Sequence, residues 1–185
     1  MHTQVNLKKR GRRFLHPLKQ VVSTPEIFMI IAGFDAKQFR DLICRVLGRI
    51  GLYSPAATEL LMGTCAVESD FGRYLRQLFD GPARGVFQME PDTEQDIWTN
   101  YLSYRPKIAD RILTMCGVGE ASEWALETNL AYQIAIARIH YLRVSEPLPE
   151  WDDVDGLAKY WKLYYNTPAG RGGPEDFYRK YLLHC

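Results

Sequence analysis

The sequence holds no paired cysteine motif, no strong net charge, no internal repeat and no apolar stretch able to cross a bilayer. Each absence narrows the function. Its four cysteines (Cys44, Cys65, Cys116 and Cys185) lie far apart, so zinc-ligand spacing is missing and neither a metal nor a cofactor is expected. Cys44 and Cys65 fall in helical, mostly apolar patterns, where a reduced buried thiol is the simplest state, and Cys185 reads as a tail residue. Reduced thiols point towards folding in a cytosol. In Glu26 to Phe34 the apolar run is only eight residues long. Pro25 and Glu26 interrupt its approach and no small-x-small site follows, so a cleaved signal is not expected and action outside the cytoplasm would need another route.

What is present is ordinary in bulk and uneven in detail. With 185 residues, 46% hydrophobic and 24% charged, the chain suits one globular domain with a real core. The net charge of +1 conceals a local excess. Residues 1 to 25 carry Lys8, Lys9, Arg10, Arg12, Arg13 and Lys19 and no acid, whereas the other 160 residues hold 17 basic against 22 acidic side chains. Residues 1–34 are therefore read as a basic N-terminal arm with an apolar lead-in, and residues 35–185 as the folded domain. The arm suits an anionic partner, either nucleic acid or a membrane surface, or is simply a solvated end. The domain, lacking a basic groove interleaved with aromatics, does not read as a nucleic-acid binder.

Periodicity predicts a mainly α fold. Asp35 caps a helix to about Ile50, with Phe39, Leu42, Ile43, Val46, Leu47 and Ile50 at spacings of three and four and Gly51 as the stop. Ser54 and Pro55 start a second helix to Ser69, apolar nearly all round and so expected to be buried on more than one side. Phe71 to Pro91, with Gly72, Gly81, Pro82 and Gly85, should be largely irregular. Asp92 and Gln95 form a capping-box pattern for a helix through Trp98 and Leu102, which Pro106 ends or kinks. Further helices are expected over Ile108–Met115 and Ser122–Leu142, from Asp152 through Tyr164, and from Pro174 onward.

The chemistry centres on "GTCAVESDFGRYLRQLFDGPARGVFQMEP", Gly63 to Pro91. Glu68 lies seven residues after Leu61, four after Thr64 and three after Cys65, so its carboxylate continues an apolar face. A carboxyl partly removed from water has a raised pKa and keeps a proton near neutral pH, as acid-catalysed glycosidic cleavage requires. The glycines downstream permit close approach of backbone to a bulky ligand, and Gln88 offers an amide to it. An exposed, inert helix-terminal glutamate is the bland counterpart of this reading.

The order of four pieces resembles the soluble lytic transglycosylase and goose-lysozyme branch of the lysozyme-like superfamily. They are Glu68-Ser69, then Gly85-Val86-Phe87-Gln88-Met89-Glu90-Pro91, then Tyr141-Leu142 closing a helix, then Tyr165-Asn166 with Gly170. The wording "GTCAVES" with "LYYNTPAG" also looks like phage and prophage proteins carrying this domain. Two positions depart from the family pattern: Gly-Val-Phe-Gln replaces its glycine-leucine-methionine-glutamine run, and Asn166-Thr167-Pro168 its asparagine-alanine-glycine-proline turn. These alter the sugar groove more than the chemistry.

The resemblance implies a lysozyme-like fold that cleaves the β-1,4 bond between N-acetylmuramic acid and N-acetylglucosamine in peptidoglycan glycan strands. It implies Glu68 as the single catalytic acid and base, with Ser69, Gln88, Tyr165 and Asn166 positioning the sugar or Glu68. Ser69 and Asn166 have helix-terminal roles as the commoner alternative, Gln88 has satisfaction of loop backbone, and Tyr165 has core packing beside Tyr160, Trp161 and Tyr164. Among other carboxylates, Asp92 is expected to cap and Asp70 to be solvated. Glu90 is the best candidate for a second carboxylate, which would make the enzyme a hydrolase. His140 reads as structural. Phage origin would place the protein in the virion, made in the host cytoplasm and acting on the host wall, alongside other virion proteins. A structural virion protein using the same fold as an assembly or binding module is the rival class.

Overall fold

The computed structural model describes residues 33–168 and 170–185, which form a mainly helical body without a β-strand among the described residues. The chain divides near residue 30, and the unit from Ile31 to Cys185 contains everything described below. The basic arm and most of the apolar lead-in expected over residues 1–34 lie outside the described residues.

The first two helices follow from their caps and faces. In α1 (Ala36–Ile50), Asp35 accepts a hydrogen bond from the Gln38 amide at 2.9 Å, and Gly51 closes the helix at φ 75°. Phe39, Ile43, Val46, Leu47 and Ile50 form its buried stripe. In α2 (Pro55–Ser69), Ser54 caps the Ala57 amide and Pro55 occupies the first turn, where no intrahelical bond is lost. Eleven of the 15 residues of α2 are buried, so it runs through the core rather than along its edge. It packs against α1, α6 (Leu130–Leu142), α7 (Val154–Trp161) and α8 (Pro174–His184). Gly63 makes the α8 contact possible: a Cβ there would lie 2.0 Å from Cζ of Phe177.

Three elements depart from the sequence expectation. The helix expected over 122–142 is two helices, α5 (Glu123–Thr128) and α6, because Asn129 takes an extended conformation. Its backbone amide closes α5 on the Ala125 carbonyl at 3.0 Å, its Oδ1 opens α6 by accepting from the Tyr132 amide at 3.1 Å, and its Nδ2 ties the junction to α4 (Pro106–Cys116) by donating to the Cys116 carbonyl at 3.2 Å. Asp92 is not a cap: Glu90 holds the N-cap position of α3 (Pro91–Asn100), Pro91 is the first residue, and Asp92 is exposed in the first turn. Asp153, not Asp152, caps α7 through the Gly156 amide at 2.9 Å.

The core also holds polar groups that bond one another, although the buried Nδ1 atoms of His140 and His184 have no hydrogen-bond partner among the described residues. Tyr141 donates to the Thr64 hydroxyl at 2.7 Å, because the Thr64 proton already goes to the Leu60 carbonyl; this joins α2 to α6. Glu94 is almost fully buried, accepting from the Ser122 amide at 2.7 Å and from the Tyr132 hydroxyl. Trp98 Nε1 donates to the same Tyr132 oxygen at 2.7 Å. Cys65 is buried and Cys44 only half-buried, and all four thiols are free. Cys185 is no loose tail: its carbonyl accepts from Arg40 at 3.2 Å, and burial pushes its thiol up to about 12.

Candidate functional site

Glu68 lies in the last turn of α2, on the face that Leu61, Thr64 and Cys65 share. Those three are fully buried, whereas Glu68 is half-buried and opens onto a cleft of about 1290 Å³. Trp161, the last residue of α7, donates its Nε1 proton to Glu68 Oε1 at 2.9 Å. Burial pushes the Glu68 carboxyl up to about 7, against a smaller downward pull from the Trp161 hydrogen bond. Glu68 has no salt-bridge partner among the described residues, so loss of water, not a neighbouring charge, governs its protonation.

Gln88, Tyr165 and Asn166 line the same cleft. Gln88 sits on a turn fastened at both ends. Arg84 and Met89 exchange backbone hydrogen bonds at 2.9 and 3.0 Å, and Gln133 of α6 accepts from the Val86 amide at 2.8 Å. Gly85, at φ 73°, is required in that turn because a Cβ would lie 2.2 Å from the Leu126 carbonyl. Gln88 itself is left-handed at φ 46°, and its Nε2 donates to the Gly85 carbonyl at 2.8 Å. The helix of α7 continues as one π-helical turn, Lys162–Asn166, and this wider turn delivers Tyr165 and Asn166 to the cleft. The Tyr165 hydroxyl donates to the Phe87 carbonyl at 2.8 Å, bridging the π-turn to the Gln88 turn. Asn166 Oδ1 accepts from Lys162 Nζ at 2.7 Å.

Ser69 has a different place. It is fully buried and does not line the cleft; its Oγ donates to the Cys65 carbonyl at 3.0 Å and accepts from the Gly72 amide at 2.9 Å. Its work is to close α2 and turn the chain behind Glu68, not to touch a ligand. Asp70 is not a solvated carboxylate either. It pairs with Lys180 and with His184 Nε2 at 3.2 Å, with Arg73 at 3.5 Å. Burial raises its carboxyl, but the hydrogen bonds and charge of Lys180 and His184 prevail and hold it below the usual carboxylate range. Glu90 lines the cleft as an exposed carboxylate with no capping bond, and Asp92 lies outside the lining.

His140 also lines the cleft, with its Nε2 2.9 Å from the Tyr164 carbonyl and its ring 4.9 Å from that of Tyr165. Burial lowers its pKa and so favours the neutral ring, which donates Nε2–H to the Tyr164 carbonyl; that hydrogen bond offsets part of the shift. Two participants escaped the sequence reading. Trp161 carried a signal, its place beside Tyr165-Asn166, but looked like core packing. The cleft-lining segment Gln77–Ala83 carried none beyond its glycine and proline. Among the described residues, no three His, Cys, Asp or Glu side chains form a metal-binding cluster, and no helix is long and apolar enough to cross a membrane.

Comparison of the chain with protein-family models, curated proteins and solved structures finds no match.

Proposed function

We propose that the protein cleaves peptidoglycan as a lytic transglycosylase with a lysozyme-like domain, using Glu68 as its single acid and base. The observation that carries this reading is a carboxyl titrating near 7 at the edge of a cleft large enough for several sugar rings. Glu68 protonates the oxygen joining N-acetylmuramic acid to N-acetylglucosamine, and the C1–O bond breaks. The acetamido group of the substrate stabilises the positive carbon. Glu68, now a carboxylate, takes the proton of the muramyl 6-hydroxyl as that oxygen bonds to C1, giving a 1,6-anhydro end and restoring the acid. Internal attack competes with water because the 6-hydroxyl and C1 belong to the same sugar residue. Gln88, Tyr165 and Asn166 line the groove around the reacting sugar, while Trp161 holds Glu68 from behind and Ser69 closes the helix that carries it.

A hydrolase is the second reading, favoured by Glu90, a second carboxylate on the same cleft. Mass analysis of products from purified murein separates the two. Anhydro ends from the wild type, with the rate falling about 10²–10⁴-fold in Glu68→Gln, support the transglycosylase. Reducing ends support the hydrolase. Undiminished cleavage by Glu68→Gln removes Glu68 from its role, and no cleavage by the wild type leaves an assembly module.

The resemblance to phage proteins suggests a virion component that opens the host wall on infection, with the basic arm contacting nucleic acid or a membrane surface. Arm binding to DNA would weaken steeply with salt and vanish when its six lysines and arginines are replaced by glutamine; salt-independent retention would remove the electrostatic role.

A further inference from the structure

The loop that walls one side of the cleft ends in an oddity. Phe79 is 100% exposed, and both it (φ 62°, ψ 36°) and Asp80 (φ 57°) are left-handed. Aspartate tolerates this region, but a phenylalanine there strains the backbone. The tip does not hang loose. Gln77 and Ala83 close its base, with the Gln77 amide donating to the Ala83 carbonyl at 3.0 Å and the Ala83 amide donating to Gln77 Oε1 at 3.2 Å. Arg84 donates to the Gly81 carbonyl at 2.9 Å and pairs with Glu123 of α5 at 2.9 Å, so the base is tied to the helical body. A pinned loop thus holds a strained aromatic ring in water, where it contributes nothing to the core.

Phe79 lines the cleft that contains Glu68, and with Leu78, Pro82 and Met89 gives it an apolar portion. Gln88 and Asn166 supply polar groups to the same space. A pyranose has this double character: a ring face of C–H groups and an edge of hydroxyl and amide groups. We propose that Phe79 is a sugar-stacking residue, packing its ring on the C–H face of a pyranose bound in the cleft. The proposal rests on the glycan reading above and adds a binding contact to it. The bonds at the loop base hold the main chain beside the cleft, so that part of the ordering is done before the sugar arrives.

The test uses full-length Glu68→Gln protein, which keeps the glycan intact, titrated with peptide-free murein glycan strands. Adding Phe79→Gly should weaken binding about tenfold. It should not lower Tm, because glycine relieves the left-handed strain and no core contact is lost. Adding Phe79→Trp instead should preserve affinity and shift the indole emission on binding. Equal affinity for the Phe79→Gly and Phe79-intact proteins overturns the proposal while leaving the glycan reading standing. Absence of any binding by the Phe79-intact protein overturns both.

Discussion

Trp161 Nε1 lies 2.9 Å from Glu68 Oε1, and this is the one hydrogen bond to the carboxylate among the described residues. The indole N–H stabilises the ionised form, whereas burial stabilises the protonated one, and burial prevails. Trp161→Phe removes the donor and keeps most of the ring volume. The carboxyl should then titrate above its present value of about 7, so the alkaline limb of the murein-cleavage rate moves to higher pH. A pH profile of kcat/KM for the two proteins checks this. An unmoved or lowered limb would mean that Trp161 does not tune the acid.

Glu68 should also weaken the fold at high pH. Unfolded, its carboxyl ionises near the ordinary 4.5; folded, near 7. Between these values the folded protein holds a proton that the unfolded chain has lost, so stability falls as pH rises through that window. By pH 8 the loss is about 3 kcal/mol. Glu68→Gln cannot ionise and keeps an oxygen for Trp161. Its Tm advantage over wild type should be small at pH 4 and grow by several degrees by pH 8. A difference that stays constant across this range would show that the group is well solvated.

Asp70 behaves oppositely. Its carboxyl is held below the usual range by Lys180 and His184, so its contribution is complete above the ordinary value of 3.8 and is lost as pH falls through the lower folded value. Asp70→Asn tolerates the left-handed backbone at this position (φ 53°) and deletes the charge. The variant should lose about 1 kcal/mol at neutral pH, since the pair is partly exposed, and converge with wild type towards pH 2. Thermal unfolding across pH measures the gap; a gap that persists at pH 2 would point to packing instead of charge.

Much of the secondary structure could be read from residues close in the chain. Asp35, Ser54, Gly51 and Pro174 mark helix ends where expected, because capping acts within one turn. The unbroken helix over 122–142 failed as an expectation because apolar residues flank Asn129 on both sides; its side chain caps α6 through the nearby Tyr132 amide and is also held by the Cys116 carbonyl, 13 residues earlier, which only the fold brings there. Glu94 shows the same limit. It shares a helix face with Ile97 and Trp98, but the partners that let a carboxylate stay there, Ser122 and Tyr132, come 28 and 38 residues later.

By itself the sequence determined that Glu68 ends an apolar helix, on the buried face, ahead of a glycine turn bearing Gln88. Periodicity and turn chemistry depend on near neighbours, so they survive without coordinates. Tertiary structure decided what that carboxyl does. It brought Trp161 from 93 residues away, packed enough protein around Glu68 to raise it to about 7, and turned Ser69 inward while leaving Phe79 outside. Protonation depends on which distant groups exclude water, and only the folded chain fixes those distances.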